Sequence, residues 1–167
     1  MKCISQATVD KTWQSIAEMD PADAGQAMFT LSENQPHLLG FVMELADDMD
    51  TDASELATYM LYVVYQMFVN ASGARIPQVS EDQIEAQYKS TCEFLDGIQE
   101  QADDPLFEEQ SEKHIENQPH VYRYVADALY EESDDPEEQM NISEEEAGEI
   151  FMMMKCVIDV VDSVTNQ

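Results

Sequence analysis

Apolar residues recur at helical spacing along almost the whole chain, and alternating runs of β-branched residues are missing. Apolar positions three and four residues apart lie on one face of an α-helix, so the pattern predicts an all-α protein. Pro21, Pro36, Pro105 and Pro119 each stand where a helix would begin, a position at which the missing N–H of proline carries no penalty. About eight helices are predicted, at residues 9–19, 22–31, 36–47, 53–70, 80–101, 105–115, 119–131 and 143–163.

One pentapeptide occurs twice in the chain. Glu-Asn-Gln-Pro-His stands at residues 33–37 and again at 116–120, an offset of 83 residues, and an amphipathic helical pattern follows each copy. The same offset pairs Leu38 with Val121 in those helices. An internal repeat of this kind predicts two copies of one four-helix unit, packed about a pseudo-twofold axis.

The predicted organisation is a single all-α domain built from the two repeats. For the last helix of each half we prefer an offset of 91, which pairs Glu55 with Glu146. Residues 56–69 are apolar on all sides, so this helix and its counterpart are expected either to pack centrally or to form a subunit interface. Lys155, in the counterpart, is expected to snorkel to a neighbouring acid. The domain covers residues 1–167, with repeats at 9–70 and 81–164 and a linker at 71–80.

The net charge of the chain limits the classes of partner that it is expected to bind. It has 36 acidic and 7 basic residues, a net charge of −29. Such a protein repels polyanions, which argues against direct binding of nucleic acid or anionic membranes. A basic protein or a cation is the complementary partner. Two further interpretations treat the acidity as mimicry of nucleic acid towards a basic protein, or as adaptation to high salt.

The cysteines and the apolar segments indicate where the protein is found. Cys3, Cys92 and Cys156 are odd in number and lack CxxC spacing, which favours a reduced, cytoplasmic protein. Cys92 and Cys156 fall within predicted helices and are expected to be buried. The apolar runs 56–69 and 150–161 are shorter than the roughly 18 to 20 residues that span a bilayer, so no membrane association is expected.

The repeated pentapeptide supplies the candidate binding residues. A residue before proline avoids the α region, so Gln35 and Gln118 are predicted N-caps, and the whole motif has a local explanation as a helix start. The alternative is that Glu and His of both copies meet at one site for a metal or for proton transfer. The residues of that alternative are Glu33, Asn34, His37, Glu116, Asn117 and His120.

A second acidic motif lies between two predicted helices. Asp48, Asp50 and Asp52 have the spacing that opens an EF-hand calcium loop. The sixth position is Ala53 instead of glycine, and the twelfth is Tyr59 instead of glutamate. We therefore expect an acidic connector in which Asp52 or Ser54 caps the next helix, with cation binding by the three aspartates kept as the alternative.

The sequence indicates interaction rather than catalysis. It has no phosphate-binding loop, nucleophile elbow or dinucleotide fingerprint, and it predicts no catalytic residue and no cofactor. The favoured hypothesis is a non-enzymatic acidic helical protein that binds a protein partner, either as a homodimer or through a groove between its halves. A metal or acid–base site at the duplicated Glu and His residues is the alternative from a different class, which leaves enzymatic activity open.

Overall fold

The all-α prediction is confirmed in the part of the chain that the computed structural model describes. These residues are 2–100, 117–131 and 140–166, with side chains described except at 98–100. The helix predicted at 105–115 lies outside them. The described part contains seven helices and no strand. The helices are Gln6–Ala17 (α1), Pro21–Asn34 (α2), Pro36–Ala46 (α3), Thr51–Ser72 (α4), Glu81–Glu100 (α5), Pro119–Tyr130 (α6) and Glu144–Thr165 (α7).

Proline marks three of these helix starts. Pro21, Pro36 and Pro119 are the first residues of α2, α3 and α6, as predicted, while Pro105 lies outside the described residues. Proline suits this position because the first N–H groups of a helix have no intrahelical acceptor. The local chemistry of the chain therefore determines where these helices begin.

The predicted start of α1 is wrong by three residues. The helix begins at Gln6 instead of residue 9, because Ser5 caps it. Ser5 Oγ accepts a hydrogen bond from the Thr8 N–H at 3.2 Å and so provides an acceptor for one N–H of the first turn. The capping serine, which has an extended backbone conformation, starts the helix earlier than the apolar periodicity predicts.

The cap predicted for α4 is also wrong. Asp50, and neither Asp52 nor Ser54, is the N-cap, and the helix begins at Thr51. The Asp50 side chain makes no capping hydrogen bond. Its backbone N–H instead donates to Glu146 Oε1 of α7 at 3.0 Å. The connector between α3 and α4 is thereby attached to the start of α7.

The end of α4 shortens the predicted linker. The helix extends to Ser72, so the connection to α5 begins at Gly73 and not at residue 71. Gly73 has φ 61°, a left-handed conformation that glycine adopts without strain and that commonly ends helices. In the connection that follows, Ile76 and Val79 are buried. The segment 73–80 is thus packed against the core.

Helices α4 and α7 form the centre of the molecule. Each has 22 residues, and they contact each other more extensively than any other pair of described helices. Residues 60–65 of α4 and 153–158 of α7 are all buried, which requires a helix covered on every side. The two buried runs coincide at an offset of 93. This value differs by two residues from the offset of 91 preferred from the sequence.

The outer helices are arranged alike around the two central ones. Helices α1 and α3 pack on α4, while α5 and α6 pack on α7. In addition, α3 contacts α5 and α1 contacts α6, so the outer helices around α4 also pack against those around α7. None of the described helices has the length and apolar character needed to cross a membrane.

Candidate functional site

The glutamine of the first pentapeptide is completely buried. Gln35 is the N-cap of α3, as predicted, but its side chain makes no capping hydrogen bond. Its Oε1 accepts from the Val79 N–H at 2.9 Å and its Nε2 donates to the Pro77 carbonyl oxygen at 2.9 Å. The side chain therefore holds the extended segment before α5, as a neighbouring strand would.

The glutamine of the second pentapeptide has the same role on the opposite side. Gln118 is the N-cap of α6, with φ −137° and ψ 57° against −137° and 59° at Gln35. Its Oε1 accepts from the Ile4 N–H at 2.9 Å and its Nε2 donates to Asp162 Oδ1 at 2.7 Å. Here the extended segment before α1 is held. In each copy of the motif, the buried glutamine side chain thus hydrogen-bonds residues far away in the sequence, which capping rules do not predict. We call this set of hydrogen bonds a glutamine clasp.

The other residues of the first pentapeptide lie at the surface. Glu33 is exposed, and Asn34 Oδ1 accepts a hydrogen bond of 3.4 Å from Arg75. His37 Nδ1 lies 3.2 Å from Oε1 of Glu81, the first residue of α5. His37 is therefore paired with a carboxylate of another helix.

In the second copy, Asn117 is exposed and His120 is half-buried, while Glu116 lies outside the described residues. Asp48, Asp50 and Asp52 are all exposed as well. Within the ranges that the structure describes, no three His, Cys, Asp or Glu side chains are grouped so that they could hold a metal ion. The residues nominated from the sequence are thus not brought together there as one ligand set.

A groove runs from His37 to the start of α7; its lining is mainly apolar between α3 and α5 and more polar beside α7. It has two parts, of about 500 Å³ between α3 and α5 and about 570 Å³ between the α3–α4 connector and α7. Leu45 and Tyr88 line both parts, which therefore adjoin. The Phe41 and Tyr88 rings meet edge to face, with their centroids 5.7 Å apart. The remaining apolar lining residues include Ile84, Met49, Ile142, Met152 and Met153.

The rim of this groove is strongly acidic. Eight carboxylates line it, and His37 is the only lining residue among those described that can carry a positive charge. We call this the acidic groove. Its carboxylates are Glu44, Asp48, Asp50, Glu81, Glu85, Glu145, Glu146 and Glu149.

Glu146 joins the two walls of the acidic groove. It forms a capping box with Ser143, in which Ser143 Oγ accepts from the Glu146 N–H and the Ser143 N–H donates to Glu146 Oε2. Its other oxygen accepts from the Asp50 N–H. Hydrogen bonds from the backbone of Ser143 and then of Asp50 hold the pKa of Glu146 below its usual value, because they favour the charged form.

We expect the substitution E146A to lower the melting temperature near neutral pH. Because the folded protein lowers the pKa of Glu146, its contribution is present above the unfolded pKa of about 4.3 and is lost as the pH falls through the folded value. Thermal melts from pH 7 to pH 3 should show the difference between wild type and E146A shrinking. E145A is the matched control, and an equal effect there would attribute the change to net charge alone.

A buried polar network lies beneath the surface of the second half. Lys155 pairs with a neighbouring acid, as predicted, but does so while buried: it is only 2% exposed, and its Nζ lies 2.7 Å from Asp159 Oδ2. The Phe94 and Tyr122 rings lie 4.9 and 5.5 Å from Nζ, where ring faces attract a cation. Tyr122 also donates to Asp159 Oδ1 at 2.5 Å, and Gln87 Nε2 donates to Oδ2 at 3.2 Å.

Burial controls the titration of the neighbours of Lys155. It raises the pKa of the Tyr122 phenol well above its ordinary value, and the charge of Asp159 adds to the effect. Burial and then Asp159 raise the pKa of the Cys156 thiol to about 12. Cys156 is buried as expected, whereas Cys92 is only partly so. Tyr122 and Cys156 are therefore neutral near pH 7, which makes the Cys156 thiol a poor nucleophile.

The buried network was not predicted from the sequence, although one signal was available. Lys155 stands within an otherwise apolar run and is followed four residues later by Asp159, a spacing that pairs opposite charges on a helix.

Comparisons of the chain with protein-family models, with curated proteins and with solved structures give no significant match.

Proposed function

We propose that the protein binds a basic, amphipathic helical segment of a partner protein in the acidic groove. The observation that carries this proposal is the combination of a mainly apolar lining between α3 and α5 with eight carboxylates that line the acidic groove. An amphipathic helix that lays its apolar face in a groove is a common form of peptide recognition. Lysines and arginines flanking that face would lie beside the rim.

Charge complementarity selects the sign of the partner. The rim carboxylates belong to a chain with a net charge of −29, so a cationic segment is attracted over distances of about the Debye length, roughly 10 Å at moderate salt. A second copy of this chain would bring the same negative charge to the groove. Nucleic acid would be repelled in the same way. Both are therefore disfavoured as occupants, and the homodimer expected from the sequence does not use this surface.

The floor of the groove favours an apolar helix face. Along α3 it extends from His37 to Leu45, eight residues or about 12 Å, which matches about two turns of a helix. Met49 and Met152, both half-buried, lie farther along. Unbranched methionine side chains adapt their shape to different apolar partners, which suits a docking surface.

The proposal is tested by titrating the protein with a fluorescently labelled model helix of lysine and leucine. One control peptide has the same composition with its lysines dispersed around the helix, and another has glutamate in place of lysine. Fluorescence anisotropy should show binding of the first peptide that weakens as salt is raised, and no binding of the glutamate peptide. Failure of the amphipathic peptide to bind at low salt would overturn the proposal.

Charge-reversal variants locate the binding surface. Glu85 and Glu149 are exposed and line the acidic groove, whereas Glu18 and Glu93 are exposed and do not. The variants E85K/E149K and E18K/E93K change the net charge equally. We expect the first to weaken peptide binding by about tenfold more than the second. Equal weakening would mean that the peptide follows overall charge and not the groove.

We further propose that the chain is an internal duplication. The matching glutamine clasps, the alternating contacts of the outer helices and the coincident burial of α4 and α7 support it. The repeats predicted at 9–70 and 81–164 would then each gain the extended segment that precedes their first helix. On this proposal residues 73–80, most of the linker predicted at 71–80, belong to the second unit, as 2–5 belong to the first.

The metal or acid–base alternative is not carried forward. Its support was the repetition of Glu and His, and in the described part of the chain His37 pairs with Glu81 of α5, which is not a residue of either pentapeptide. The repeated glutamines account for the motif through their buried hydrogen bonds. The interpretation of the protein as an acidic ligand of a basic partner is instead included in the groove proposal.

A further inference from the structure

A second groove lies between α1 and α6 and resembles the α3–α5 part of the acidic groove residue by residue. It has a volume of about 490 Å³. Its α1 wall carries Val9 and Trp13, which stand at the same spacing from Ser5 as Ile84 and Tyr88 do from Ser80. Its α6 wall carries Tyr124 and Asp127, which an offset of 83 pairs with Phe41 and Glu44.

The two grooves differ at one matched position that changes both charge and bulk. Gly40 lines the acidic groove, and the same offset places Arg123 in the second groove. Arg123 Nε lies 4.0 Å from Asp127 Oδ2, and the arginine side chain is 75% exposed. It therefore offsets part of the negative charge that Asp10, Asp127 and Glu131 bring to this groove.

We propose that the groove between α1 and α6 is a second, weaker docking site for the same class of basic amphipathic segment, and that Arg123 limits its affinity. The inference rests on the proposed function of the acidic groove. An arginine on the rim repels a cationic segment and competes with it for Asp127, whereas Gly40 leaves the corresponding rim open. One protein molecule would then hold two basic segments with unequal affinity.

Trp13 allows the second groove to be followed separately. It is the single tryptophan of the chain, 36% exposed, and it lines the second groove and not the acidic one. In an E85K/E149K background, which weakens the acidic groove, the lysine–leucine peptide should change the Trp13 emission. Adding R123A should lower the peptide dissociation constant measured from this emission by about tenfold, while R123K should leave it unchanged.

The reciprocal variants test the same idea in the acidic groove. A Cβ at Gly40 would meet no atom within 4 Å, so a side chain is accommodated there without displacing the backbone. G40R should weaken anisotropy-detected binding by about tenfold, and G40A should not. Circular dichroism melts verify that each variant is folded.

The outcomes separate the two proposals. If wild type binds the peptide but Trp13 does not respond in the R123A variant, the second site is overturned and the acidic groove is retained. An equal gain from R123K and R123A would likewise overturn the assigned role of the Arg123 charge. If wild type does not bind the peptide at all, the proposed function fails first. The inference is supported if the Trp13 emission reports tighter peptide binding in the R123A variant and unchanged binding in the R123K variant.

Discussion

The substitution D159N is expected to lower the free energy of unfolding by about 3 to 5 kcal/mol, because it leaves a buried lysine without its counterion. Lys155 is 2% exposed, and Asp159, at 2.7 Å, carries the opposite charge. Asparagine has nearly the same shape and can still accept from Tyr122, so the main change is the loss of charge. Urea denaturation followed by circular dichroism measures the effect.

Two controls isolate the buried pair. The double variant K155M/D159N removes both charges and should recover to within about 1 kcal/mol of wild type, since no buried charge is then left without a counterion. Arg123 and Asp127 form the same i,i+4 pair at the surface, with side chains 75% and 60% exposed. D127N should therefore change stability by less than about 0.5 kcal/mol. D159N behaving like D127N would contradict this account.

The substitution Q35A is expected to lower the free energy of unfolding by about 3 kcal/mol. It leaves the Val79 N–H and the Pro77 carbonyl without their partner, and each unpaired buried group costs about 1 to 3 kcal/mol. The segment 73–80 would also be held less firmly against the core. Q118A should have a comparable effect, because it removes the acceptor of the Ile4 N–H and the donor to Asp162.

The other positions of the pentapeptide distinguish a structural motif from a chemical one. E33A and H37A change exposed or half-exposed side chains and should alter stability by no more than about 0.5 kcal/mol. Chemical denaturation of all four variants gives the comparison. If H37A destabilised the protein as much as Q35A, the buried hydrogen bonds of the glutamine would not explain why the motif occurs twice.

Much of the helical architecture was predictable because it depends on neighbouring residues. Periodic apolar positions and the prolines at 21, 36 and 119 located most described helices to within a few residues. The error at α1 arose where Ser5, a cap one turn earlier, was not weighed against the periodicity. Local signals of this kind compete, and the stronger cap decided the start of the helix.

The candidate site was less predictable. Glu44, Glu85 and Glu149 are unremarkable in a chain with 36 acidic residues, and only the packing of α3, α5 and α7 places them around one apolar floor. The pentapeptide is visible in the sequence, but nothing local to it indicates that its glutamine is the buried residue and that its Glu and His lie nearer the surface. Gln35 and Gln118 were correctly placed as N-caps, while the hydrogen bonds of their side chains go to other segments.

The sequence by itself determined the helical class, the helix starts at proline and the presence of the repeated motif. Each of these depends on residues that lie within a turn or two of their neighbours in the chain. Only the tertiary structure decided the partners of that motif: Gln35 bonds Pro77, 42 residues away, and Gln118 bonds Ile4, 114 residues away. It also decided that Lys155 is enclosed. Such contacts depend on which helix faces meet, and that is set by packing the whole core at once.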